Sequence, residues 1–256
     1  MLQNFPQFQV SLARSEEEIR AAQRLRYDVF VSELGGDGCG VDHVQRLETD
    51  AFDSHAEHLL LRDLGQSDGT SLGVVGVYRL MTKEHAGAAG GFYSASEFDL
   101  APLLDSGKRL LELGRSCLHP EHRGGPALMA LWKGLSDYVT QQDIDILFGT
   151  ASFPGTDLTA LQHPVSHLHE AYLAPKALRV TSRMPGETPL LPADRIDRKA
   201  AMRDTPALIK SYLKLGGTIG QGVYVDHAFN TTDVCLILEA SKALAGATGR
   251  TPWRAS

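Results

Sequence analysis

Arg109-Leu-Leu-Glu-Leu-Gly-Arg-Ser-Cys-Leu-His-Pro-Glu-His-Arg-Gly-Gly-Pro-Ala-Leu128 reads as a strand, a tight turn and the start of a helix. Leu110, Leu111, Leu113, Cys117 and Leu118 make an apolar run of strand length. His119-Pro120 closes it, because proline cannot donate to a ladder and holds its predecessor extended. Gly124-Gly125 permits a tight turn, and Pro126 suits the first turn of a helix. From about Ala127, the residues Leu128, Leu131, Leu135 and Tyr138 recur at helical spacing. A strand, a Gly-rich loop and a helix N-terminus together aim backbone N–H groups at one point, a favourable place for an anion. Glu112 and Arg115 interrupt the apolar strand, and burying either unpaired is costly, so they face a cleft or each other.

Upstream of this run, Phe8–Leu12 alternates as a short strand, and Ser15 with Glu18 has the spacing of a capping box. Ile19, Ala22, Arg26, Val29 and Phe30 carry the first helix to about Gly35. The Gly-containing polar stretch from Gly35 to Asp50 predicts a mobile loop, a lid over a site. His58–Arg62 and Leu72–Leu80 predict two strands joined by a turn at Gln66–Thr70, and Gly87–Gly91 predicts a flexible segment. Downstream, Asp145–Ala151 predicts a buried strand ended by Phe153-Pro154-Gly155, and His167–Leu173 a helix. Ala177–Ser182 reads as a strand, Met184–Pro192 as a loop, and Asp194–Ala201 and Pro206–Leu215 as helices. Val223–Val225 and Val234–Leu238 are the last strands, and the tail from Ala245 reads as frayed. Helices and strands so mixed around one sheet predict an α/β or α+β sandwich rather than a parallel barrel.

Composition narrows the function classes. A chain of 256 residues, 43% hydrophobic and 22% charged, is ordinary for a globular protein, and a net charge of −6 gives no reason to expect nucleic acid. Cys39, Cys117 and Cys235 are far apart, which argues against a disulfide framework or a zinc knuckle and fits a reducing compartment. With no basic-then-apolar leader and no apolar run of membrane-spanning length, the expected location is the cytoplasm. His163, His167 and His169 lack an intervening Glu in the H-E-x-x-H manner, so no metal is predicted.

The wider sequence sharpens the reading. Glu112-Leu-Gly-Arg115, Arg26-x-x-x-Phe30, Asp50-x-x-Asp53 and Arg79 together resemble the acyl-homoserine-lactone synthases, a branch of the GNAT-type N-acyltransferases. The likeness is closer still to ornithine–acyl carrier protein N-acyltransferases. It is carried by Ala51–Asp53, Gly91–Asp99, Glu112–Cys117, Ser152–Thr156 and Ala228–Val234. The resemblance implies a GNAT-like α/β fold, a mixed sheet flanked by helices, with residues 8–156 as the acyltransferase core and 157–240 as a C-terminal extension packed on it. It implies transfer of a 3-hydroxyacyl group from acyl carrier protein to the α-amine of ornithine. The product would be lyso-ornithine lipid, formed with no cofactor beyond the carrier's phosphopantetheine and released in transient contact with a membrane. Rival readings are the same reaction on glutamine, an acyl-homoserine-lactone synthase, and a non-enzymatic lipid- or carrier-binding protein.

The same resemblance assigns roles. Glu112 would take the proton from the amine, directly or through water. Arg115 would orient the donor or the carboxylate network. On a regular strand residues three apart point to opposite faces, so the two share a face only if a bulge intervenes, which Gly114 permits. Arg26, Phe30, Asp50, Asp53 and Arg79 would position the lid and the amino acid, with Asn230 and Asp233 also at the amino-acid site. Main-chain N–H groups around Ser116, Cys117 and Leu118 would receive the thioester oxyanion. His119, His122 and Arg123 would stand at the phosphopantetheine phosphate. The loop Glu121–Pro126 departs from the pyrophosphate loop of coenzyme A users, which favours a carrier-protein donor. Lys108, Arg109, Arg123 and Lys133 would then offer the acidic carrier a basic landing site. Cys117 reads as a buried cysteine rather than a nucleophile.

Overall fold

The computed structural model describes residues 7–65, 72–123 and 125–242. The turn expected at Gln66–Thr70 and the tail from Ala245 lie outside the described residues. In chain order, β1 (Phe8–Leu12) precedes α1 (Glu16–Arg26), the short strands β2 (Val41–Asp42) and β3 (Leu47–Glu48), and the long strands β4 (Glu57–Asp63) and β5 (Val74–Thr82). Next come α2 (Lys83–Ala89), β6 (Phe98–Asp99), α3 (Ala101–Leu104), β7 (Leu110–Leu118), α4 (Gly125–Gln141) and β8 (Ile146–Pro154). The chain ends through α5 (Gln162–Ala171), β9 (Thr181–Ser182), α6 (Arg198–Asp204), α7 (Ala207–Lys214), β10 (Thr218–Ile219), β11 (Tyr224–Asp226) and β12 (Thr231–Glu239). Among the described residues no helix is long and apolar enough to cross a membrane.

The chain forms two compact units, and it passes between them inside β7. One holds the chain up to Gly90 together with Leu113–Gln142; the other holds Gly91–Glu112 and the chain from Asp143. In the first, the strand order is β1-β4-β5-β7, with β1 antiparallel to β4 and β4 antiparallel to β5. In the second, β7 pairs parallel with β8 over Leu110–Glu112, and β12 lies antiparallel to β8, β10 and β11. The fold class is the expected mixed α/β arrangement of sheet strands flanked by helices.

In the first unit α1 starts at Ser15, whose hydroxyl accepts the Glu18 N–H, while the Glu18 carboxylate accepts the Arg14 N–H at 2.5 Å. The helix then widens into a π-helical stretch, Tyr27–Glu33. Ala21, Ala22, Leu25 and Val29 pack with Leu60, Val74, Val77 and Cys117 into one buried cluster. Full burial of such side chains contributes roughly 1.5–3 kcal/mol each. On α4 the buried residues are Ala127, Leu131, Leu135, Tyr138 and Val139, which include three of the four read as a stripe; Leu128 is only half-buried.

Four expectations are corrected. Gly35–Asp50, expected as a loop, contains the β2–β3 hairpin, clipped by the Gly40 carbonyl, which accepts from the Thr49 N–H at 2.9 Å and the Thr49 hydroxyl at 3.0 Å. Gly87–Gly91, expected as flexible, is the end of α2. Thr82 and His85 cap each other's N–H groups there, and Gly90 ends the helix at φ +84°. Of Ala177–Ser182 only Thr181–Ser182 is strand, paired with Phe98–Asp99. β8 also runs three residues past Ala151, because Phe153 is buried and the chain stays in register with β12 as far as Pro154.

Candidate active site

In the first unit a buried network of alternating charge occupies the strand and hairpin ends. Arg26 ends α1 and is fully buried; its Nε donates to Glu48 Oε2 at 2.5 Å and its Nη1 to Asp53 Oδ1 at 2.7 Å. Arg79, on β5, donates through Nη1 to Asp50 Oδ1 at 2.5 Å and to Asp53 Oδ1 at 3.3 Å, and it lies over the Phe52 ring. Arg115, on β7, meets Glu48 Oε1 at 3.1 Å and Asp50 Oδ2 at 2.9 Å. Gln23 donates to Asp53 Oδ2 at 3.0 Å, and the His58 ring meets the Asp53 carbonyl at 3.0 Å. Three guanidiniums thus interlock with three carboxylates. One buried donor, Nη2 of Arg26, has no hydrogen-bond partner among the described residues.

The electrostatics follow from this geometry. Burial alone would raise the Asp53 carboxyl, but Arg26, Arg79 and Gln23 overcome it and hold Asp53 well below the usual carboxylate range. Burial likewise opposes the charge on Arg26, and Glu48 and Asp53 reverse the effect. Burial, which screens it from water, lowers the His58 imidazole below its usual value.

The structure gathers Arg26, Asp50, Asp53, Arg79 and Arg115 and leaves Phe30 out. Phe30 packs half-buried against the apolar cluster of Leu25, Val29 and Cys117, as a core residue does. Glu48 is the member that sequence reasoning missed. It sits in a polar stretch without periodicity, and its partners are 22 and 67 residues away. The expected irregularity in β7 is present, but at Arg115 (φ +49°) rather than at Gly114. A Cβ at Gly114 would lie 3.4 Å from the Arg79 guanidinium, an ordinary contact distance.

In the second unit Glu112 is only 3% exposed, and both of its carboxylate oxygens accept main-chain N–H groups, from Tyr93 at 3.0 Å and Ser94 at 2.7 Å. The donors open a short 3-10 turn, Tyr93–Ser96. Two fixed donors hold the carboxylate in one orientation. Asp233 is buried on β12, opposite Ser152 and Tyr224. Its carboxylate, with those of Glu97 and Asp226, forms a group whose oxygens lie within 4.8 Å of one another, a hard-oxygen set suited to a cation. Asn230 does not join it. It is exposed in the turn before β12 at φ +52°, and its carbonyl accepts the Gly155 N–H.

The loop after β7 is less open than expected. His122 is buried, meets Asp63 at 3.2 Å and stacks edge-on with Phe8, so its ring braces the first unit. Arg123 is half-exposed and makes a two-point pair with Glu33 at 2.5 Å. Lys133 pairs with Asp137 at 2.8 Å, and Arg109 lies 3.9 Å from Asp143. The basic landing site is therefore largely matched by acids of the chain itself. Ser116 and Leu118 are half-buried on β7, and beyond them the His119 N–H goes to the Val75 carbonyl. Cys117 is buried, and burial pushes its thiol up to about 12. His169 donates to the Val165 carbonyl and accepts the Gly222 N–H, and His163 accepts the Asp197 N–H, so backbone partners occupy both rings.

A strand carrying a buried Glu into a strand–loop–helix, inside a mixed sheet, is the architecture of GNAT-type acyltransferases. A family model described as an acetyltransferase (GNAT) domain matches residues 25–133. Solved structures with the same fold include the AHL synthase LasI, with a TM-score of 0.54, 14% identity and coverage of 98% of this chain and 100% of that one. Another is FeeM, an N-acyl amino acid synthase from uncultured soil microbes, with a TM-score of 0.55, 15% identity and coverage of 93% and 94%. The curated L-ornithine N(alpha)-acyltransferase of Rhodobacter capsulatus is 51% identical over 91% of this chain and 90% of its own length. That of Agrobacterium fabrum is 41% identical over 90% and 80%. This chain belongs to the L-ornithine N(alpha)-acyltransferase family.

Proposed function

We propose that the protein transfers a 3-hydroxyacyl group from the phosphopantetheine thioester of acyl carrier protein to the α-amine of ornithine, giving lyso-ornithine lipid. The observation that carries the chemistry is Glu112, a buried carboxylate fixed by the Tyr93 and Ser94 N–H groups. A protonated amine is no nucleophile, and a carboxylate held in one orientation can accept its proton directly or through one water. The amine nitrogen then attacks the thioester carbon, main-chain N–H groups around Ser116–Leu118 receive the oxyanion, and the C–S bond breaks. The first proton passes from Glu112 to the departing carrier thiolate; the second, shed by the nitrogen as the amide forms, returns to the freed Glu112 carboxylate and leaves to solvent, so bonds and protons balance without a covalent enzyme intermediate or a further cofactor. Arg26, Asp50, Asp53 and Arg79 are the charged set that the family resemblance assigns to positioning the amino acid, and Arg115 the residue it assigns to orienting the donor or that network. Asp233, with Glu97 and Asp226 beside it, supplies the negative field that suits an amino acid with a second amine. The family's relatives support ornithine over glutamine, which lacks that charge.

The test is incubation with 3-hydroxyacyl carrier protein and separate amines, ornithine, glutamine and S-adenosylmethionine among them, read by mass spectrometry. Acyl-ornithine is the expected product, and an acyl-lactone or acyl-glutamine overturns the acceptor assignment. Glu112→Gln should reduce kcat by roughly a hundredfold or more, the scale of general-base loss, while donor binding persists. Near-normal turnover in a folded Glu112→Gln protein removes Glu112 from the mechanism.

A further inference from the structure

We infer that Glu48 is the positioning residue that fixes Arg115, and with it the irregular turn of β7 that follows the base. The inference rests on the acyl-transfer reading above and adds a residue to it. Glu48 is 1% exposed and divides its two oxygens between two arginines, Oε2 to Arg26 on α1 and Oε1 to Arg115 on β7. Asp50, two residues on, takes another nitrogen of Arg115. Arg115 has a left-handed backbone in mid-strand, a conformation that a non-glycine residue keeps only when its surroundings over-determine it. Two carboxylates from one short segment, gripping Nε and Nη2 of one guanidinium, provide that constraint.

Stability is a poor explanation for the arrangement. Buried ion pairs lose much of their Coulombic gain to desolvation, and apolar residues of similar volume often do as well. This network also strands a buried donor on Arg26, a cost that a purely structural solution would avoid. What Glu48 supplies is a fixed place for Arg115, three residues along the strand from Glu112. It also ties that place to the β2–β3 hairpin, since Glu48 ends β3.

The experiment is a double-mutant cycle on kcat in the acyl-transfer assay, with Glu48→Gln, Arg115→Lys and the pair. Misplacement of a catalytic geometry by about 1 Å costs on the order of a hundredfold, so Glu48→Gln should lower kcat on that scale with a smaller change in the ornithine KM. If Glu48 acts through Arg115, the double variant should lose little more than Arg115→Lys alone. Glu48→Asp, which keeps the charge but shortens the reach, should recover part of kcat, and it replaces Glu48→Gln in the cycle should the latter not fold. Multiplicative losses in the Arg115 pair, or normal kcat in folded Glu48→Gln, overturn the inference. Turnover of an amine other than ornithine by the wild type would overturn the acceptor assignment alone, and the same cycle would then be read on that amine.

Discussion

Cys117 is where two mechanisms part at the level of a single side chain. A ping-pong route needs a thiolate to hold the acyl group, and Cys117 lies on the central strand two residues before His119. Burial dominates its chemistry, lifting the thiol to about 12 despite the pull of Arg26 and Arg123, so thiolate is scarce at neutral pH. Cys117→Ala should therefore keep activity to within a few fold, with intact mass showing no adduct when enzyme meets donor alone. An adduct lost together with turnover in the variant would establish the covalent route. Asp53 gives the complementary case, a charge held by its neighbours. Its folded value lies below the unfolded one of about 3.9, so its stabilisation is complete above that pH and is lost as pH falls through the folded value. Urea unfolding at a series of pH values should show stability falling below about pH 4–5, with a shallower fall in Asp53→Asn. At neutral pH that variant should lose about 3–5 kcal/mol, the cost of breaking a buried pair. An unchanged acid slope in Asp53→Asn would mean that other carboxylates carry the titration.

The β2–β3 hairpin is the element that turns separate charges into a network, and its tightest point is Gly40. A Cβ at Gly40 would fall 1.6 Å from the Thr49 carbonyl oxygen, so Gly40→Ala must push the hairpin open. Crowding of this kind costs about 1–3 kcal/mol, and here it should also displace Glu48 and lower kcat. Gly87→Ala on α2 is the matched control, because nothing lies within 4 Å of its added Cβ, and it should leave activity unchanged with a slight gain in stability. Equal activity in the two variants would show that the hairpin does not set the site. These elements also show what a sequence can disclose. β7 and α4 were legible because apolar periodicity, His119-Pro120 and Gly124-Gly125 all punctuate the chain in agreement. Arg26, Asp50, Asp53, Arg79 and Arg115 were legible through their resemblance to the lactone-synthase pattern, since Asp50 and Asp53 alone would read as loop solvation. Glu48 was not, because a lone acid in a polar stretch has no local signature and its meaning lies in partners distant along the chain. α2 escaped for a different reason: its glycines argue against a helix, and the reciprocal cap between Thr82 and His85 outweighs them. Helical spacing places Phe30 near Arg26, and its half-buried ring packs against the apolar cluster.

Charge on the whole molecule decides how an acidic carrier would approach. The chain carries a net −6, and the cations expected to attract the carrier are matched by nearby acids. Exposed pairs of this sort are worth only about 0–1 kcal/mol, so a carrier's carboxylates or phosphodiester can compete for the same cation. Arg123 is the cation best placed to be exchanged: it is half-exposed in the loop after β7, and Glu33 occupies its fork. Removing the competitor should therefore help the donor. Glu33→Gln should lower the KM for acyl carrier protein by about two- to fivefold at low ionic strength, the scale of one exposed pair. The gain should fade as salt shortens the Debye length from about 10 Å toward 3 Å, and the ornithine KM should not move. Acyl-coenzyme A, measured in parallel, should remain the poorer substrate by kcat/KM. A Glu33→Gln enzyme whose donor KM is unchanged at low salt, or whose ornithine KM shifts instead, would remove Arg123 from the donor's landing site.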